Sequence, residues 1–131
     1  TGWEAAETIY NTNVDLIEKS DAVIANLSPF RGPSMDVGTA YEIGYANALG
    51  KLVIGYTNDN RAYLDRVRDH YGELTEKDGW RDPDQNLVED FGLPENLMVA
   101  VGAIDVTDSF DDAVKLLVTV QSEVATLKIS D

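Results

Sequence analysis

The sequence predicts an α/β fold, an open parallel sheet with helices on both faces, and three observations lead there. Four helix-spaced segments alternate with three short apolar runs, the rhythm of repeated strand and helix units. The runs at 22–25 (Ala-Val-Ile-Ala) and 52–54 (Leu-Val-Ile) lack polar alternation, as strands covered on both faces do. The chain has 131 residues, 44% of them hydrophobic, which is one domain's worth of core, so residues 1–131 are read as a single domain.

Taken in order, residues 3–19 carry Ala6, Ile9, Tyr10, Val14 and Ile17 near helical spacing, with Glu4, Glu7, Asp15 and Glu18 elsewhere. A strand over 22–27 follows. Two prolines and a glycine within 28–34 make a loop. A second helix runs from about Asp36 to Leu49 and stops at Gly50, and 51–56 is the next strand. Residues 61–71 form a helix with Tyr63, Leu64 and Val67 inward, and the polar stretch 72–85 is expected to be a mobile surface loop. A third apolar run, 97–101, places a strand around it or just after it, toward Val106. The last helix starts at the capping cluster Thr107-Asp108-Ser109 and reaches about Leu127, with Phe110, Val114, Leu117 and Val118 on one side. The sequence opens on a helix, so the strand that normally opens such a sheet is expected to be missing.

Composition narrows the chemistry. A net charge of −14, from 24 acidic and 10 basic residues, opposes binding to a nucleic-acid backbone but not to a neutral nucleoside. There is no cysteine, hence neither a disulfide framework nor a thiolate metal site, and the single His70 cannot build a histidine-rich metal site. No apolar stretch approaches the roughly 20 residues of a membrane helix, and no signal peptide is visible. A cytoplasmic protein without membrane or metal partners is expected.

The segment 36–46 (Asp-Val-Gly-Thr-Ala-Tyr-Glu-Ile-Gly-Tyr-Ala) is where reactive chemistry would sit. Residues three and four apart share a helix face, so Glu42 lies beside Gly38, Thr39 and Ala46, with open space above its carboxylate. Gly38 and Gly44 each cost a helix about 1 kcal/mol relative to alanine, which close packing or ligand access should offset. Glu42 as a plain solvent-facing residue over glycines packed on the sheet is the competing reading. Asp36, near the helix start, suits an N-terminal cap. Two carboxylates at one loop–helix junction also suit glycosyl transfer, where one attacks and another group handles protons.

The run 20–32 (SDAVIANLSPFRG), then Asp36-x-Gly38-Thr39-Ala40-x-Glu42-x-Gly44, then Gly50-Lys51, resembles the nucleoside 2-deoxyribosyltransferase family, and 91–98 (FGLPENLM) resembles that family's second signature. The resemblance runs from about residue 13 to 110. It implies a flavodoxin-like parallel fold whose first strand or strands are not in this chain. It also implies exchange of the base of a 2′-deoxynucleoside through a covalent deoxyribosyl intermediate on Glu42, with no cofactor. Asp36 would help hold the sugar and the reacting carboxylate, and is the candidate proton donor to the leaving base. Asn96 would bind the sugar 5′-hydroxyl of a neighbouring subunit's site, implying a homo-oligomer. Asn13 would face the base, and Met98 would line the same pocket. Phe30 is a candidate for base stacking, as against burial under its own loop.

The family's opening Gly-Pro loop has no match here. Without the strand it follows, residues 22–27 would form an apolar sheet edge, which another segment or chain is expected to cover. Two other functions stay open on these residues. One is an N-glycoside hydrolase acting on nucleosides or nucleoside 5′-monophosphates, and the other is a nonenzymatic nucleoside-binding domain.

Overall fold

The computed structural model describes residues 1–129. In chain order the elements are α1 (Gly2–Lys19), β1 (Ala22–Asn26), α2 (Val37–Ala48), β2 (Leu52–Tyr56), α3 (Tyr63–Tyr71), β3 (Thr75–Glu76), β4 (Trp80–Arg81), β5 (Leu87–Val88), α4 (Leu97–Gly102), β6 (Val106–Thr107) and α5 (Phe110–Ile129). The main sheet has the order β1-β2-β6 and is parallel throughout. Ala22 pairs with Leu52 and the register holds to Asn26 opposite Tyr56, while Gly55 faces Val106.

Alternation along the strands divides the core between two faces. Val23, Ala25, Leu27 and Val53 join Ile43 and Ala46 of α2, Val99 of α4 and its C-cap residue Ala103. The intervening residues face α5, where Tyr56 meets Phe110 edge-on at 5.7 Å. Ser109 caps α5 by accepting from the Asp112 amide at 3.1 Å. The inward face of α5 is Ala113, Leu116, Leu117, Val120 and Val124, a stripe at 3.6-residue spacing, rather than the expected Val114 and Val118, which are exposed. α1 likewise buries less than its pattern suggests: Ile17 is buried, Ile9 and Tyr10 are not.

One other expectation changes. The stretch 72–85 is not one loop, for β3, β4 and β5 pair antiparallel into a small second sheet beside Leu64 and Val67 of α3. Of the two places expected for the third strand the later one holds, at Val106–Thr107, while the apolar run 97–101 is itself helix α4, started by the Asn96 cap. β1 is an edge of the main sheet, and no strand among the described residues supplies the expected cover on its outer side.

Gly50, at φ +70°, turns the chain out of α2 into β2. Gly55 is required for a different reason. A Cβ there would stand 2.5 Å from Cδ1 of Leu27, whose side chain lies across β2 just before the loop that leads to α2. Among the described residues no helix is long and apolar enough to cross a membrane.

Candidate active site

Helix α2 begins beyond the carboxyl end of β1, where an open parallel sheet places its ligands. Asp36 is its N-cap. Its Oδ2 accepts from the Thr39 amide at 3.2 Å, and the Thr39 hydroxyl lies 3.5 Å from the same oxygen. A Cβ on Gly38 would come within 3.0 Å of that oxygen, so this glycine makes room for the capping carboxylate. Gly44 has open space around it, and no packing contact within the chain requires it.

One turn further along, Glu42 faces α1. A pocket of about 320 Å³ lies between the helices, walled by Tyr10, Asn13, Val14 and Ile17 from α1 and by Gly38, Tyr41 and Glu42 from α2. That volume is at the lower end of the roughly 300–1,000 Å³ typical of small-molecule sites. Asn13 Nδ2 donates to Glu42 Oε1 at 3.3 Å, the one hydrogen bond this carboxylate receives among the described residues. Ala46, one turn beyond Glu42, is fully buried in the core and does not line the pocket, which Gly38 does.

Two tyrosine contacts join α1 to α2. The Tyr10 and Tyr41 hydroxyls are 3.1 Å apart at the rim of the pocket, and this shared hydrogen bond holds the Tyr10 phenol above its ordinary pKa. Tyr45 donates to Glu18 at 2.6 Å, tying α2 to the end of α1, and the acceptor carboxylate pushes the phenol up to about 12.

The other predicted residues lie elsewhere. Phe30 is exposed beside Arg31, whose guanidinium sits 4.9 Å from the ring centre, and it does not line the Glu42 pocket. Asn96 and Met98 border a groove between α2 and α4, on the flank of α2 that carries Ala40, Gly44 and Asn47. One chain therefore brings Asn13, Gly38 and Glu42 together and turns Asn96 and Met98 away from them. Asn96 is nonetheless rigidly held: Nδ2 donates to Glu89 at 2.6 Å, and Oδ1 caps α4 by accepting from the Met98 amide at 3.0 Å. Met98 is 74% exposed.

A buried ion pair behind the site is the feature that sequence reasoning missed. Arg66 and Glu95 meet at 3.3 Å with side-chain exposures of 3% and 0%. Glu95 Oε1 accepts from Ser34 Oγ at 2.7 Å and from the Asn96 amide at 3.0 Å, and Oε2 accepts from the Met35 amide at 3.1 Å. Arg66 donates onward to the carbonyls of Pro33, Asp59 and Arg61 at 3.0, 3.2 and 2.9 Å. The signal available in the sequence was a charge inside an apolar arc, since Arg66 lies three residues after Tyr63 and beside Val67.

The chain is similar to known proteins. The family model for nucleoside 2-deoxyribosyltransferase matches residues 1–98. A 2-deoxyribosyltransferase from Leishmania mexicana has a similar solved structure, with a TM-score of 0.72 at 43% sequence identity, covering 87% of this chain and 68% of that one. An uncharacterised protein of Schizosaccharomyces pombe is 39% identical over 82 residues, 62% of this chain and 36% of that protein. The chain thus spans about a third of the yeast relative's length.

Proposed function

The chain belongs to the nucleoside 2-deoxyribosyltransferase family, and from that premise we propose that it moves 2-deoxyribose from one nucleobase to another, with Glu42 as nucleophile. The observation that carries the proposal is the pocket between α1 and α2, where Glu42 has open space on one side and a single positioning donor, Asn13. A Glu42 oxygen attacks C1′ as the bond from C1′ to the base nitrogen breaks, and the electron pair leaves with the base, which takes up a proton. Asp36, at the start of the same helix, is the residue we assign to that proton. A second base then attacks C1′ through its own ring nitrogen, loses a proton and returns Glu42 to the carboxylate. Two inversions give net retention. The absence of a 2′-hydroxyl eases the cation-like transition state, so ribonucleosides should react far more slowly.

Asn13 fits both states of the nucleophile. Its amide holds the carboxylate before attack and is released toward the base once Glu42 is esterified. In this reading Asn96 and Met98, on the far flank of α2, complete the site of a neighbouring subunit in a homo-oligomer.

Incubation with deoxyinosine and free adenine should yield deoxyadenosine, and mass spectrometry should find a deoxyribosyl adduct on Glu42 that Glu42→Ala lacks. Free deoxyribose as the sole product would replace transfer by hydrolysis, and binding with no adduct would leave a nucleoside-binding domain. Mixing inactive Glu42→Ala with Asn96→Ala should restore up to about a quarter of wild-type activity if each site draws on two subunits of a randomly re-formed symmetric dimer. No recovery after verified subunit exchange would confine each site to one chain.

A further inference from the structure

Two requirements of the proposed reaction lie far apart in the sequence. Asp36 must be fixed at the head of the Glu42 helix, and Asn96 must be fixed at the head of α4. Their side chains are held locally, by the Thr39 amide and by Glu89, but the segments that deliver them, 28–35 and 89–96, contain no helix or strand of their own. The buried Glu95 carboxylate touches both. Through Ser34 Oγ and the Met35 amide it grips the two residues immediately before Asp36, and through the Asn96 amide it grips the first residue of the α4 cap. Arg66 completes the grip by holding both Glu95 and the Pro33 carbonyl.

A buried ion pair is weak support for stability, since well-packed apolar residues of similar volume often do as well. What it supplies that an apolar cluster does not is direction: four donors converge on two oxygens and fix three chain segments relative to one another. Glu95 lines neither the Glu42 pocket nor the groove bordered by Asn96 and Met98, so it does not act on a ligand directly. We propose that Glu95, held by Arg66, is a positioning residue for the transfer proposed above, a single carboxylate that sets Asp36 for its own chain's site and Asn96 for the site that Asn96 serves. The proposal rests on that functional reading, and it adds a dependence between the two half-sites that the reading does not require.

The test compares Glu95→Gln with Ile54→Ala. Ile54 is fully buried on the α5 side of the sheet, so its truncation loosens the fold without touching either half-site. Both variants are assayed well below their melting temperatures, with Ile54→Val as a milder control. Misplacement of reacting groups by about 1 Å lowers rates on the order of 100-fold, so Glu95→Gln should lose about that much kcat with a smaller change in KM, and should form the Glu42 adduct correspondingly slowly. The Ile54 variants should keep wild-type kcat. Equal loss in Glu95→Gln and Ile54→Ala, or full kcat in Glu95→Gln, would overturn the positioning role while leaving transfer itself intact. Wild-type protein that transfers nothing would instead remove the functional reading. Amide hydrogen exchange decides the clamp independently of turnover. Exchange at Met35, Thr39, Asn96 and Met98 should quicken in Glu95→Gln and not in Ile54→Ala, and unchanged exchange at these amides would refute the clamp.

Discussion

Glu42 and Glu95 are the same residue type in two opposite settings. Glu42 stands at the wall of an open pocket and receives one hydrogen bond, from Asn13. Glu95 is sealed beneath the loop before α2 and receives four, one of them from Arg66. A carboxylate whose lone pairs are all committed has none to offer an electrophile, whereas one with a single donor keeps its orientation and a free face. The difference separates a group suited to react from a group suited to hold. It comes from where the backbone delivers donors rather than from the side chain itself.

Removing Glu42, the proposed nucleophile, should have the largest effect. Glu42→Ala should lower transfer by about 10⁴-fold or more, the scale on which an enzyme loses its nucleophile, with a melting temperature close to wild type. A stable variant that still forms deoxyadenosine at more than a tenth of the wild-type rate would place the nucleophile elsewhere. The sealed member should show the reverse balance in thermal or urea unfolding. Glu95→Ala leaves Arg66 buried without its partner and should cost about 3–5 kcal/mol. A loss below about 1 kcal/mol would show that water or a rearranged loop replaces the carboxylate.

Gly38→Ala should sharpen the contrast at the head of α2. The added methyl favours the helix by about 1 kcal/mol but crowds the Asp36 cap, itself worth about 1 kcal/mol. Stability should therefore change little while transfer falls, and unchanged kcat/KM would detach Asp36 from the chemistry. The smallest effect concerns acid stability at the outer end of the Arg66 network. Hydrogen bonds from Arg61 hold the Asp59 carboxyl down to about 2. A folded pKa below the unfolded value, near 3.9, stabilises the protein above that value and is lost as pH falls toward 2. Because Arg61 is largely exposed, the contribution is below about 1 kcal/mol. Asp59→Asn should flatten that part of the acid-unfolding curve between about pH 4 and 2, and an identical curve would remove the assignment.

Periodicity made the main sheet and its helices legible. The run Ala22–Asn26 and the pattern around Ile43 and Ala46 can be satisfied only between two covered layers. The small sheet was illegible because strands of two residues carry no alternation to read. Leu97 to Val101 left the exact place of the third strand open for a related reason, since five apolar residues suit a buried strand and one face of a short helix equally well. In the site, the spacing of Gly38 and Glu42 on one face was visible in the sequence, and so was Asp36 as a cap. That Asn13 would reach Glu42 needed the packing of α1 on α2, which its exposed upper turns hardly advertise. Arg66 and Glu95 are 29 residues apart, one on α3 and the other in the loop before α4, and no local pattern links them.

The meeting of Gly55 with the Leu27 side chain has a consequence for how this sequence can drift. Any side chain at 55 would overlap a leucine that is itself held between β2 and the core, with Val106 3.4 Å away on the other side. Positions 27 and 55 therefore cannot change independently. A library that randomises residue 55 alone should return glycine almost exclusively, while one that frees residue 27 as well should recover alanine at 55 paired with a smaller residue at 27. Descendants of this chain would cross from one solution to the other only by passing through a weakened intermediate.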